Sequence, residues 1–165
     1  MPTMQFRFRC AMASDLNPDS ALGEFPGHMI RRLQQIVVAR YAAETEPYGV
    51  TPLQWAALRA AQAKPGLDQS TLARDIVVDT STVAGVIDRL EARGLITRKP
   101  SPHDRRLRTL YITEEGAALL AQVSPVVVDV QRWLMSPLTP QEREQFWHAL
   151  RKLVDRGGPS KGPAG

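Results

Sequence analysis

The stretch from Gly94 to Thr113 constrains the fold more than any other part of the chain. Two short alternating patterns flank a basic turn, directly after a segment of helical periodicity that ends at a glycine. Leu95–Lys99 forms one strand candidate and Arg108–Ile112 the other, with Leu110 and Ile112 on one face. Between them Pro100, Pro102 and Asp104 set a turn, with Arg105 and Arg106 at its tip. From Arg98 to Arg108 five Lys/Arg stand against one Asp, a local charge of +4, and the whole chain has a formal charge of +4, so the remainder is neutral. Positive charge gathered beside a helical unit is the footprint of a chain that neutralises phosphates and releases their counterions.

Composition narrows the alternatives. At 165 residues and 43% hydrophobic content the chain holds one core, or one core with a helical extension. The pI of about 9.6 favours an anionic partner without naming it. Cys10 is the one cysteine, so no intramolecular disulfide or cysteine metal site is possible, which fits a reducing cytoplasm. Arg7 and Arg9 interrupt the apolar residues of the N-terminus and make a poor signal peptide. Met1, Met4 and Met12 are all possible starts ahead of the folded region. The longest uncharged stretch, 116–128, is broken by Gln122, Ser124 and Pro125 and is too short to span a bilayer. No membrane partner is expected.

Residues 1–24 lack helical periodicity and read as a mobile arm, and 157–165 have the Gly/Pro composition of a disordered tail. A first helix is expected from about Gly27 to Glu46, with Ile30, Leu33, Val37 and Tyr41 on one face and Pro47 closing it. Thr51-Pro52-Leu53-Gln54 opens a second with a capping box and ends near Lys64. A third follows Asp68, and a short break at 77–79 leads to a fourth over Thr80–Arg93. There Val83, Val86, Ile87 and Leu90 form the buried stripe and Gly94 stands at the C-terminal cap. Helices three and four have the lengths and connection of a helix-turn-helix, and the two strands make it a winged helix. Thr113 caps a fifth helix with Glu114 and Glu115 in its first turn, running to about Met135 with a potential kink at Pro125. Thr139–Glu142 caps a sixth that ends near Arg156. The expected class is therefore mainly α with a small β-hairpin: a winged helix-turn-helix over 51–112, flanked by helices over 25–47 and 113–156 whose apolar stripes bury against each other or, as dimerisation helices, against a second subunit.

These residues resemble the MarR family of winged-helix transcriptional regulators over about 25–156. Asp104-Arg105-Arg106 followed by Leu110-Tyr111-Ile112-Thr113 is similar to the family's wing signature, with Ile112 in place of the usual leucine and Leu107 where a small residue is more common. The segment from Ser81 to Ile96 resembles the family's recognition helix. The resemblance implies a homodimer on a pseudo-palindromic operator in double-stranded DNA, with the helix from Thr80 in the major groove. Thr80, Ser81 and Thr82 would reach phosphates or base edges, although Ser81 and Thr82 read equally well as helix caps. Arg89 would meet a phosphate. Arg106 matches the wing-tip arginine that enters the minor groove, and Asp104 the carboxylate that holds it. Arg98, Lys99, Arg105 and Arg108 are candidate phosphate contacts, and a solvated face is the competing reading for Arg98 and Lys99.

Members of the family commonly bind a small aromatic or phenolic acid, and the segment 26–36 is similar to the first helix of members that control aromatic-acid catabolism. On that resemblance His28 with Arg31 or Arg32 would hold a carboxylate, Trp55 would line the ring, and Tyr48, Thr51 and Gln54 would stand nearby. The competing reading makes Trp55 a core residue and leaves the arginines facing solvent or a partner subunit. The expected function is repression released by such a ligand. Redox sensing through Cys10 is an alternative, as is a winged helix used only for protein contacts. His28, His103 and His148 lie far apart on different elements, and no phosphate loop, His-Glu-x-x-His or nucleophile motif is present, so neither an enzyme, a bound metal nor a cofactor is expected.

Overall fold

The computed structural model describes residues 21–101 and 107–157. Chain contacts divide after Arg40 into two compact units. The first contains a 3₁₀ turn, Leu22–Glu24, and most of helix α1, Pro26–Thr45. The second carries the rest: α2 (Pro52–Ala63), β1 (Leu67–Asp68), α3 (Gln69–Asp75), α4 (Thr80–Ala92), β2 (Ile96–Pro100), β3 (Arg108–Ile112), α5 (Glu114–Met135) and α6 (Pro140–Gly157).

Side-chain caps fix the helix starts. Thr51 and Gln54 form the reciprocal capping box of α2, the Gln54 N–H donating to Thr51 Oγ1 at 3.2 Å and the Thr51 N–H to Gln54 Oε1 at 3.0 Å. Asp68 caps α3 and Thr113 caps α5. Thr139 and Glu142 repeat the box at α6. The end of α4 is a Schellman turn: Gly94, at φ +70, donates to the Glu91 carbonyl and Leu95 to that of Leu90. A residue with a Cβ is strained in that conformation, which is why glycine stands there.

The sheet has three antiparallel strands in the order β1-β3-β2, one more than the expected hairpin. β3 pairs with β2 in the register Ile96↔Ile112 through Pro100↔Arg108, and with β1 through Leu67↔Leu110. A two-residue strand has no periodicity to read, so β1 leaves no sequence signature.

The main core lies under α2, α3, α4 and the sheet, with Leu58, Leu72, Val83, Ile87, Leu90 and Leu110 almost wholly buried. The predicted stripe of α4 is the buried one. α5 is less separate from this unit than its sequence position suggested. Leu120 joins the main core, and Val123 and Val127 pack with Val50, Tyr41 and Tyr48 in a second cluster. The helix runs unbroken through Pro125, with the Ser124 hydroxyl donating to the Leu120 carbonyl. Among the described residues no helix is long and apolar enough to cross a membrane.

Candidate nucleic-acid interface

The N-terminus of α4 is built around Asp79, which occupies the cap position. Its carboxylate accepts the Thr82 N–H at 2.8 Å, the Thr82 hydroxyl at 2.6 Å and the Ser81 hydroxyl. These donors, the Ser81 hydroxyl first, hold the Asp79 carboxyl well below the usual carboxylate range. Ser81 and Thr82, cap candidates by residue type, lie inside the helix. The cap is Asp79, four residues before Val83 opens the apolar stripe. Thr80, Ser81 and Thr82 are exposed in the first turn of α4, ahead of its buried stripe. Their backbone is braced from α3, where Gln69 Nε2 donates to the Thr80 carbonyl at 3.1 Å. Arg89 is exposed on the same helix, and its guanidinium lies over Gly85.

The turn into α4 contains a backbone outlier. Val77 has φ +57 and is 86% exposed. A β-branched side chain rarely adopts that region.

The wing is locked to α4 through Arg98. Its guanidinium pairs with Asp88 and with Glu91, and its N–H donates to Glu91 Oε1 at 3.2 Å. Burial alone would lower the pKa of Arg98, and the hydrogen bonds and charges of Asp88 and Glu91 reverse this and raise it. The positive charge counted along the sequence at Arg98 is thus offset by two acids that the fold brings from α4. The signal was a pair of acids three residues apart on one helix face, but its partner strand is set by tertiary structure alone. Lys99 and Arg108 are exposed on the wing strands, with Lys99 Nζ 4.9 Å from the Tyr111 ring centroid. Asp104, Arg105, Arg106 and His103 lie outside the described residues, as do Cys10 and the arm and tail beyond residues 21 and 157.

The candidate effector residues divide between the units. His28, half-buried, and Arg31 and Arg32, exposed, stand on the first two turns of α1. In the second unit the end of α1 and the start of α2 border an open cavity of about 480 Å³, lined by Ala42, Ala43, Thr45, Glu46, Gly49, Val50, Thr51 and Pro52. Of the residues singled out from the sequence only Thr51 is on its wall. Gln54 is buried and engaged in the capping box. Tyr48 is half-buried and packs on the second core cluster. Trp55 packs against both clusters, and its buried Nε1 has no hydrogen-bond partner among the described residues. One link escaped the sequence altogether: Arg93, at the C-terminal cap of α4, donates to the Gly49 carbonyl at 2.6 Å across 44 residues of chain.

Comparison with known proteins accords with this arrangement. The MarR family model matches residues 50–107. The transcriptional regulator HosA of Escherichia coli O111:H- is 34% identical over 128 residues, which cover 78% of this chain and 93% of HosA. The structure of Bordetella bronchiseptica BpsR, whose DNA binding is regulated by 6-hydroxynicotinic acid, superposes with a TM-score of 0.78 at 29% identity, covering 82% of this chain and 97% of BpsR. The transcriptional repressor CouR bound to a 23-mer DNA duplex gives a TM-score of 0.75 at 29% identity, covering 81% and 94%. The helix-turn-helix, its wing and these relatives together place the chain in the MarR family of winged-helix transcriptional regulators, which are DNA-binding proteins and not enzymes.

Proposed function

We propose that the chain acts in the cytoplasm as a homodimeric repressor on a pseudo-palindromic operator and is released by a small aromatic carboxylate or phenolic ligand. The observation that carries the DNA reading is the exposed start of α4, with Ser81 and Thr82 held by Asp79 and the Thr80 carbonyl by Gln69, beside a wing strand fastened through Arg98. On this reading α4 enters the major groove with those three hydroxyl residues at base edges and phosphates, and Arg89 on a phosphate. Lys99, Arg105 and Arg108 meet the backbone. Arg98 adds least to binding, since it stays paired with Asp88 and Glu91. Arg106, held by Asp104, takes the minor groove.

Dimerisation is supported by apolar surface left on the terminal helices: Ile30, Leu33 and Ile36 on α1, and Trp147, Leu153 and Val154 on α6, are exposed. The effector class is supported by the regulation of BpsR by 6-hydroxynicotinic acid and by the largely apolar cavity at 42–52. We assign the ring to that cavity with Thr51 on its wall, near Tyr48, Gln54 and Trp55. The family resemblance separately implies His28 with Arg31 or Arg32, in the first unit, as donors to a carboxylate.

The test is a fluorescence-anisotropy titration of DNA from upstream of the protein's own gene. It uses two salt concentrations, with 6-hydroxynicotinic acid, benzoate and protocatechuate as probes, alongside sedimentation of the free protein. Specific, salt-sensitive binding by a dimer, released by one acid, is expected. Binding that no acid releases removes the effector assignment, and binding no tighter than to random duplex removes the operator.

A further inference from the structure

The link between the cavity and α4 carries an inference of its own. The segment from Glu46 to Thr51 has two sides. One lines the cavity, through Glu46, Gly49, Val50 and Thr51. The other presents the Gly49 carbonyl to Arg93 Nη1 at 2.6 Å. Gly49 is in the left-handed region at φ +62 and closes the preceding 3₁₀ turn by donating to the Glu46 carbonyl at 2.8 Å. Its carbonyl direction is therefore set by the tight turn over Glu46–Tyr48, whose first residue, Glu46, lines the cavity. A Cβ built on Gly49 would stand 3.7 Å from Arg93 Nη2, so the guanidinium lies against the turn as well as bonding to it. At its far end Arg93 is the cap residue of α4, the helix whose first turn holds Thr80, Ser81 and Thr82. Val50, the next residue, is buried against Val123 and Val127 of α5, which anchors the segment from behind. A group entering the cavity therefore meets a turn with one rigid anchor and one polar strut, and the strut ends on α4. A charged-donor hydrogen bond of this length is strong enough to transmit a displacement of the turn.

We propose that the Arg93–Gly49 hydrogen bond couples occupancy of the cavity to the recognition helix, making Arg93 a positioning residue that sets how far an effector shifts operator affinity while touching neither effector nor DNA. This rests on the assignment of the effector ring to the cavity. Allosteric coupling is a free energy shared between two sites, so removing the strut should lower the coupling factor and leave each binding event in place.

The experiment is a double-mutant cycle that requires no identified effector. The full chain and an operator selected by it from a random duplex library are used throughout. Ala43→Phe places an aromatic group in the cavity as a built-in occupant, with Ala42→Phe as a second variant should the first fail to fold by circular dichroism. Ala43→Phe is expected to weaken operator binding about tenfold in the native background and less than about threefold with Arg93→Gln, in keeping with typical coupling factors. Arg93→Gln alone should change affinity less than about threefold and leave the salt dependence of binding unchanged. Additive effects, or no effect of either cavity variant in the native background, would overturn the proposal. So would a reduced salt slope for Arg93→Gln, which would make Arg93 a phosphate contact. Release by 6-hydroxynicotinic acid, benzoate and protocatechuate is measured on the native and Arg93→Gln chains in parallel. Equal release from both overturns the strut and keeps the effector assignment. A coupled cycle with no release by any acid keeps the strut and removes that ligand class.

Discussion

α4 and α6 are both amphipathic helices, and they use that character in opposite ways. α4 buries Val83, Val86, Ile87 and Leu90 in thirteen residues. α6 buries no described residue in eighteen, although Phe146, Trp147, Leu150, Leu153 and Val154 fall on one stripe. The same periodicity thus specifies an intramolecular core in one place and an unsatisfied surface in the other. Periodicity says that a face is apolar, and only the tertiary structure says whether the chain itself covers it.

The sharpest way to break this comparison is to remove one leucine from each helix. Leu90→Ala, at a fully buried position, should cost about 2–5 kcal/mol in denaturant unfolding, by lost transfer energy and a residual cavity. Leu153→Asp, at a position 58% exposed, should leave the monomer's stability within about 0.5 kcal/mol while shifting a dimer toward monomer in sedimentation. A large stability loss for Leu153→Asp, with no change in association, would mean that α6 has an intramolecular partner. Gly116→Ala should fall between the two. Its Cβ would stand 2.1 Å from the Leu95 carbonyl oxygen, a backbone atom, so α5 must move away, at a cost of about 1–3 kcal/mol in thermal unfolding.

Smaller effects sharpen the picture around the recognition helix. Val77→Gly should raise stability by up to about 1 kcal/mol, because it removes a β-branched residue from the left-handed region, partly offset by the entropy of the freer unfolded chain. A loss of stability would mean that Val77 is held by contacts that outweigh its strain. The Asp79 cap gives the acid dependence. Its carboxyl is lowered in the folded chain, so its contribution is present above the ordinary carboxylate range and is lost as pH falls through the folded value. In Asp79→Asn the acid-induced fall in melting temperature should be shallower than in the native chain. Identical acid profiles would show that other carboxylates govern it.

Most of the fold was legible because its elements carry local signals. The capping boxes at Thr51 and Thr139, the cap at Thr113 and the terminal glycine at Gly94 are set by residues within four positions of each other. What was not legible depends on partners distant in the chain. β1 exists because Leu67 meets Leu110. Arg98 changes from a surface cation to a fastening because Asp88 and Glu91 lie on the helix that packs beneath its strand. Of the seven residues read as an effector site, Thr51 reaches the cavity wall, while Gln54 and Trp55 do structural work that the competing reading had already described for Trp55. Asp79 is legible by position, as a cap-type residue directly ahead of Thr80, where Ser81 and Thr82 offer the same chemistry one and two residues later.

The close approach of Gly116 to Leu95 has a mechanical consequence. Thr113 Oγ1 donates to the Gly94 carbonyl at 2.7 Å and accepts from the Gly116 N–H at 3.0 Å, so the first turn of α5 is pinned where α4 gives way to the wing. With a rise of about 1.5 Å per residue, the twenty-two residues beyond that pin form an arm about 33 Å long. Leu120, Val123 and Val127 are buried along that arm, so packing holds it well past the pin. A side chain on residue 116 would press on the Leu95 carbonyl and lift the first turn away from it. Glycine there lets backbone meet backbone, and the long helix is seated from its first turn.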